Sequence, residues 1–199
     1  MSTTNTAPQS TLPDGPPADL NHLVRQRWSP RQFLDRAVEP EKMVRLFEAA
    51  RWAASCFNEQ PWRFVVATKN QPQEFARILN LLMEKNQQWA QGAWALGFTA
   101  GKRTFTHSGL PDRFGLYDTG AAGATLAVEA TAAGLHVHFM GGFDADRARA
   151  EFNIPADFEI GAAFAIGYID EATVNPGPRT RKPLAELVFS GDWGKAAQL

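Results

Sequence analysis

From Glu39 onward the apolar residues Met43, Leu46, Phe47 and Ala50 recur at i, i+3, i+4 and i+7. That spacing puts four side chains on one helical face, and Glu39-Pro40 opens the segment with proline at the first helical position. Phe75, Ile78, Leu79, Leu82 and Met83 repeat the period and predict a second amphipathic helix. Four short apolar runs, Phe64–Thr68, Ala93–Phe98, Leu135–Met140 and Ile160–Ile169, read as strands, the last so continuously apolar that it predicts burial on both faces. Residues 101–117 mix Gly, Pro and polar side chains and read as a loop. Asp118 to Ala133, DTGAAGATLAVEATAA, is small and apolar on nearly every side. Such a helix is expected to be buried on several sides, in a core or against a second subunit, and Gly134 supplies its left-handed cap. Asp144 caps a short helix ending near Phe152. The sum is a mixed α+β chain with helices in the majority.

The ends differ from this middle. Residues 1–18 hold Leu12 as their single large aliphatic side chain after Met1 and predict a disordered arm, because burial there cannot offset the entropy of ordering. The structured domain is expected over 19–169, opening with a short helix at Asp19–Val24 and a bend imposed at Ser29 by Pro30. Residues 170–199 lack a long periodic segment, but Leu184, Leu187, Val188, Phe189 and Trp193 give this extended tail apolar anchors for docking on another surface.

Composition narrows the classes of function. Lys plus Arg number 20 and Asp plus Glu 21, a net charge of -1 that gives no global field for nucleic acid or anionic membrane. The single cysteine allows no internal disulfide and no multi-cysteine metal site, which suits a reducing cytoplasm. No apolar run approaches the ~20 residues that span a bilayer, and the N-terminus does not read as a signal peptide.

Four clusters could carry chemistry. Arg27, Ser29 and Arg31 alternate in a bent segment, so their side chains share a side, and two guanidiniums around a hydroxyl suit a phosphate. Arg179, Thr180, Arg181 and Lys182 repeat the Arg-x-Arg spacing, and the two clusters could converge on one dianion. Ser55, Asn58 and Gln60 precede the first strand, with Pro61 expected to hold Gln60 extended; amide groups donate and accept, as the edge of a planar heterocycle requires. Met140-Gly141-Gly142 ends a strand just before a helix, where missing side chains let a ligand approach the backbone. A simple left-handed glycine turn explains the same pair, and solvated charge explains either Arg cluster alone. His136 and His138 lack a third nearby ligand and read as core histidines, and Cys56 as a loop or core thiol. Neither a dinucleotide fingerprint nor a Walker loop is present.

In this order the clusters resemble the FMN-dependent nitroreductase family over about residues 20–190. Arg27-Trp28-Ser29-Pro30-Arg31-Gln32-Phe33 is similar to its opening signature, Ser55-Cys56-Phe57-Asn58-Glu59-Gln60-Pro61-Trp62 to its Ser-x-x-Asn-x-Gln-Pro-Trp loop, and Arg179-Thr180-Arg181-Lys182-Pro183-Leu184 to its C-terminal clamp. The resemblance implies a nitroreductase-like α+β fold, a central mixed or antiparallel sheet flanked by helices in an interleaved homodimer, with FMN at each interface site. It further implies that Arg27, Ser29, Arg31, Arg179 and Arg181 hold the phosphate or the flavin N1/O2 edge, that Ser55 and Asn58 come from the partner subunit, and that Trp28, Cys56 and Gln60 also bind the cofactor. Asn86 would lie near the isoalloxazine, the backbone N–H of Gly141 or Gly142 would face flavin N5, and Met140 beside them would also bind the cofactor. Many relatives carry Glu-Gly where this chain has Gly141-Gly142, often Arg or His in place of Trp28, and a longer helical insert at 99–117. The implied activity is hydride transfer from NAD(P)H, by a ping-pong mechanism, to nitroaromatics, quinones or activated alkenes. An FMN-binding protein without turnover, or a flavin-cleaving or reductively dehalogenating enzyme on the same fold, is the alternative.

Overall fold

The computed structural model describes residues 16–198, so most of the expected disordered arm lies outside the described residues. Two compact units emerge, Gln26–Asn175 and a smaller one in which residues 16–25 join 176–198. In the larger unit a four-stranded sheet runs in the order β1-β2-β4-β3, every neighbouring pair antiparallel: β1 is Trp62–Thr68, β2 Ala95–Lys102, β3 His136–Met140 and β4 Phe158–Gly167. Helices α2 (Pro40–Arg51) and α5 (Gly115–Ala132) cover one face; α3 (Pro72–Leu81), α4 (Glu84–Ala90) and α6 (Ala145–Glu151) cover the other. The strand period of two explains the division: Val137, Phe164 and Ile166 pack beneath α2 and α5, while Leu96, Phe98, Met140, Ala163 and Ala165 face α3, α4 and α6. A short helix, α1 (His22–Gln26), precedes the larger unit's first irregular segment.

Several boundaries move from the sequence expectation. The apolar period from Phe75 to Met83 is broken after Leu81, because Leu82 and Met83 turn extended and a separate α4, not expected, begins at Glu84. β2 runs on to Lys102 and α5 starts at Gly115, which shortens the expected 101–117 loop at both ends. β4 is fully buried only in its second half. In this chain α5 buries one stripe, Gly115, Asp118, Thr119, Ala122, Gly123, Leu126, Ala127 and Ala130, rather than several sides. These are i, i+3, i+4 and i+7 positions, the stripe that faces a sheet, and Leu116, Tyr117, Gly120 and Ala124 remain exposed.

Candidate functional site

The Arg27–Arg31 segment follows α1 without regular structure and is stitched to the sheet by Leu34, whose N–H donates to the Tyr168 carbonyl at 2.8 Å. Alternation holds for two of the three expected residues, and Arg31 does not line their cavity. Arg27 and Ser29 line one cavity, whereas the Trp28 ring meets His136 edge-on at 5.7 Å. Pro30 is buried, and its carbonyl accepts a hydrogen bond from His138 Nδ1 at 2.8 Å. Arg31 is exposed.

That cavity, about 580 Å³, opens between α5 and the sheet. Its volume falls within the ~300–1,000 Å³ of small-molecule sites. Beyond Arg27 and Ser29 its wall includes Thr99, Thr119, Gly123, Phe139 and Gly161, none of them singled out from the sequence. Thr99 sits where the β2–β4 register shifts, and its hydroxyl accepts from the Ala162 N–H at 3.0 Å and donates to the Ala162 carbonyl at 3.3 Å. A Cβ on Gly161 would come to 2.5 Å of Thr99 Oγ1, so only glycine fits beside this bulge. A threonine and a glycine interrupting two apolar strands were the available signals.

Gly141 and Gly142 end β3 as expected, but neither has positive φ, which excludes the left-handed turn. The constraint on Gly142 is contact: a Cβ there would lie 2.6 Å from Asn86 Nδ2. Asn86, carried by α4, donates to the Gly142 carbonyl at 2.9 Å, and the Met83 N–H donates to the same oxygen at 2.9 Å. Among the described residues no protein acceptor takes the N–H of half-buried Gly142. Met140 is buried in the core below the turn, so its side chain does not join the site.

The Ser55–Gln60 loop is strained. Phe57, Asn58 and Gln60 all take left-handed φ, near +51°, +55° and +51°, a region that disfavours side chains. Gln60 is therefore not extended before Pro61, because its N–H turns back to Ser55 Oγ at 3.0 Å. The Cys56 N–H donates to the buried carboxylate of Asp118 at 2.9 Å. Burial, and then the Asp112 and Asp118 carboxylates, push the Cys56 thiol up, away from nucleophile chemistry. Glu59, with its side chain 5% exposed, accepts from the Thr106 N–H at 2.9 Å, from the Thr106 hydroxyl, and from Lys102 at 3.4 Å. Burial pushes its carboxyl up, but these donors outweigh it and hold the group below the usual range. Phe57, 80% exposed, meets Phe105 and His107 edge-on, each at 5.8 Å.

In the smaller unit Arg179 donates to the Arg25 carbonyl and Arg181 to the Thr180 carbonyl at 2.8 Å, the latter exposed to solvent. Phe189 packs on Trp193 at 5.1 Å, yet Trp193 itself is 93% exposed.

The model of the Nitroreductase family matches residues 24–168. A Ralstonia nicotianae protein provisionally named NADH dehydrogenase/NAD(P)H nitroreductase is 24% identical over 83% of this chain and 93% of its own. A Mycolicibacterium smegmatis protein described only as an uncharacterized 15.4 kDa protein is 38% identical, but over 41% of this chain and 60% of its own length. Among solved structures, one described as an oxidoreductase containing FMN superposes with a TM-score of 0.81 at 35% identity, over 97% of this chain and 98% of that one. A Desulfovibrio desulfuricans protein provisionally called a nitroreductase, in complex with FMN, gives 0.70 at 25% identity over 86% and 96%.

Proposed function

Since this chain belongs to the nitroreductase family, we propose that it is an FMN-dependent NAD(P)H oxidoreductase acting on electron-poor small molecules. Bound FMN would supply hydride exchange at N5, alternately with NAD(P)H and with a nitroaromatic, quinone or activated alkene. One observation carries the reading: Arg27 and Ser29, the expected phosphate pair, line one wall of a cavity of ligand size.

The donor set fits the cofactor. Arg27 offers a planar fork and Ser29 a hydroxyl to the phosphate. Gly142 would offer its uncommitted N–H to the flavin's N5 edge, and Asn86 and Met83 hold its carbonyl. Arg31 supplies positive charge, which favours the anionic reduced ring. By resemblance the same phosphate role extends to Arg179 and Arg181, and Ser55 and Asn58 come from the second subunit of a homodimer. Strain and multiple anchors keep that loop in one shape, the preorganisation a binding edge needs.

The test is one absorption experiment. Purified protein supplied with FMN should show a flavin spectrum shifted from that of the free cofactor, and the spectrum should bleach on anaerobic NADH or NADPH and recover when a quinone is added. A protein that stays colourless after FMN and gel filtration refutes the proposal. Bound flavin that neither nicotinamide bleaches leaves binding without turnover.

A further inference from the structure

The segment bearing Arg27 and Ser29 has no helix or strand to fix it, so its shape depends on side chains brought to it from elsewhere. At its centre the buried Pro30 carbonyl takes the 2.8 Å hydrogen bond from His138. A carbonyl only accepts, so the ring proton sits on Nδ1. The His138 ring lies on Trp89, centroids 4.5 Å apart and tilted by 35°, and Trp89 stacks in turn on Phe33 at 6.3 Å. Phe33 rests against Gly167 of β4, where a Cβ would meet its ring at 3.0 Å. The segment is thus gripped at Pro30 by β3 and at Phe33 by α4 and β4. Trp89 is three residues beyond Asn86 on α4, the spacing that places two side chains on one face. One short helix therefore steadies both the Pro30 carbonyl, through His138, and the Gly142 carbonyl, through Asn86.

From this we infer that His138 is a positioning residue for the cofactor's phosphate. By holding the Pro30 carbonyl it sets the direction in which Arg27 and Ser29 face their cavity, with Trp89 keeping the imidazole in place. The inference rests on the FMN reading above. Simple core packing does not account for a half-buried imidazole whose one proton is committed to a loop carbonyl more than a hundred residues away. Burial lowers the pKa of the ring against the Pro30 and Ser29 backbone, with the Arg31 charge adding to the lowering.

The test compares FMN with riboflavin, which lacks the phosphate, by fluorescence titration of apo-protein. His138→Phe keeps a ring against Trp89 but leaves the buried carbonyl unpaired. It should weaken FMN about tenfold while changing riboflavin by less than about twofold. His138→Asn, whose amide donates from near the place of Nδ1, should recover most of the FMN affinity. Three results overturn the inference: unchanged FMN affinity in folded His138→Phe, equal loss for both ligands, or His138→Asn as weak as His138→Phe. Should His138→Phe not fold by circular dichroism, Trp89→Leu frees the ring while leaving the donor and should lower FMN affinity severalfold with riboflavin unchanged; equal affinities there are equally decisive against it. Wild-type protein that binds no FMN fails earlier, and overturns the cofactor reading together with this inference.

Discussion

At the scale of single residues, Gly142 and Asn86 act as a pair. An added Cβ at Gly142 must displace the Asn86 amide, the movable end of a side chain, so Gly142→Ala forfeits the hydrogen bond to the Gly142 carbonyl rather than straining the backbone. Gly142→Ala and Asn86→Ala should each cost about 1 kcal/mol in urea unfolding. Because both remove the same bond, the double variant should cost little more than either single one; full additivity would show that the two residues act separately. The histidines of β3 make a second prediction. Burial lowers the pKa of His136 against the pull of Glu171, and lowers that of His138 with help from Arg31 and against the Pro30 and Ser29 backbone. As pH falls below the ordinary histidine value of about 6.5, the unfolded chain takes up protons that the folded chain refuses, so folding stability drops. It stops dropping once the pH is below the depressed folded values. Melting temperature should therefore fall between pH 7.5 and pH 5.5, above the range where carboxylates titrate, and fall less in a His136→Gln, His138→Asn double variant. Identical pH profiles would remove the histidines as the cause.

At the scale of elements, the Ser55–Gln60 loop holds left-handed residues that no glycine relieves. The sequence announced a polar turn there but not its strain, since that conformation is imposed from outside by Asp118, Thr106 and Lys102. Glu59 is the main tie. Glu59→Gln keeps its size but leaves Lys102 and Thr106 without their charged acceptor, and should destabilise by about 1.5–3 kcal/mol, a charged hydrogen bond's range, measured by denaturant titration. A change within a few tenths of a kcal/mol would mean that the loop is held elsewhere. Helix α4 shows the opposite failure of legibility. Glu84–Ala90 has too few apolar positions for its period to register, and it is helical because Asn86, Trp89 and Ala90 each find a tertiary partner.

At the scale of the molecule, the exposed side of α5 carries Leu116, Tyr117, Gly120 and Ala124, and apolar residues elsewhere, Val44, Trp52 and Trp193 among them, are also left to solvent. Isolated exposed apolar residues are ordinary, and Leu116, Gly120 and Ala124 also line the cavity that holds Arg27 and Ser29. The proposed homodimer should bury upward of ~2,000 Å², the scale of obligate interfaces, and light scattering at micromolar concentration should give twice the chain mass of 21.9 kDa. A monomer that retains FMN would refute the dimer and the loan of Ser55 and Asn58 between subunits. Among the described residues no helix is long and apolar enough to cross a membrane.

Local pattern determined the elements with strong periods: the Met43–Ala50 stripe of α2, the four strands, the Gly134 cap, and the order of polar clusters that marks the family. These are short-range facts, written in spacing and in the special backbone freedom of glycine and proline. Tertiary structure alone decided the rest. It broke the Phe75–Met83 period after Leu81, turned α5 so that one stripe faces the sheet, bent Gln60 back toward Ser55, and placed Thr99, Thr119, Phe139 and Gly161 around the cavity with Arg27 and Ser29. Each depends on partners far away in sequence, and no local pattern encodes which distant donor satisfies a given carbonyl. His138 is the plainest case: its sequence says only that it lies in a strand, and its hydrogen bond to Pro30, 108 residues earlier, exists only in the folded chain.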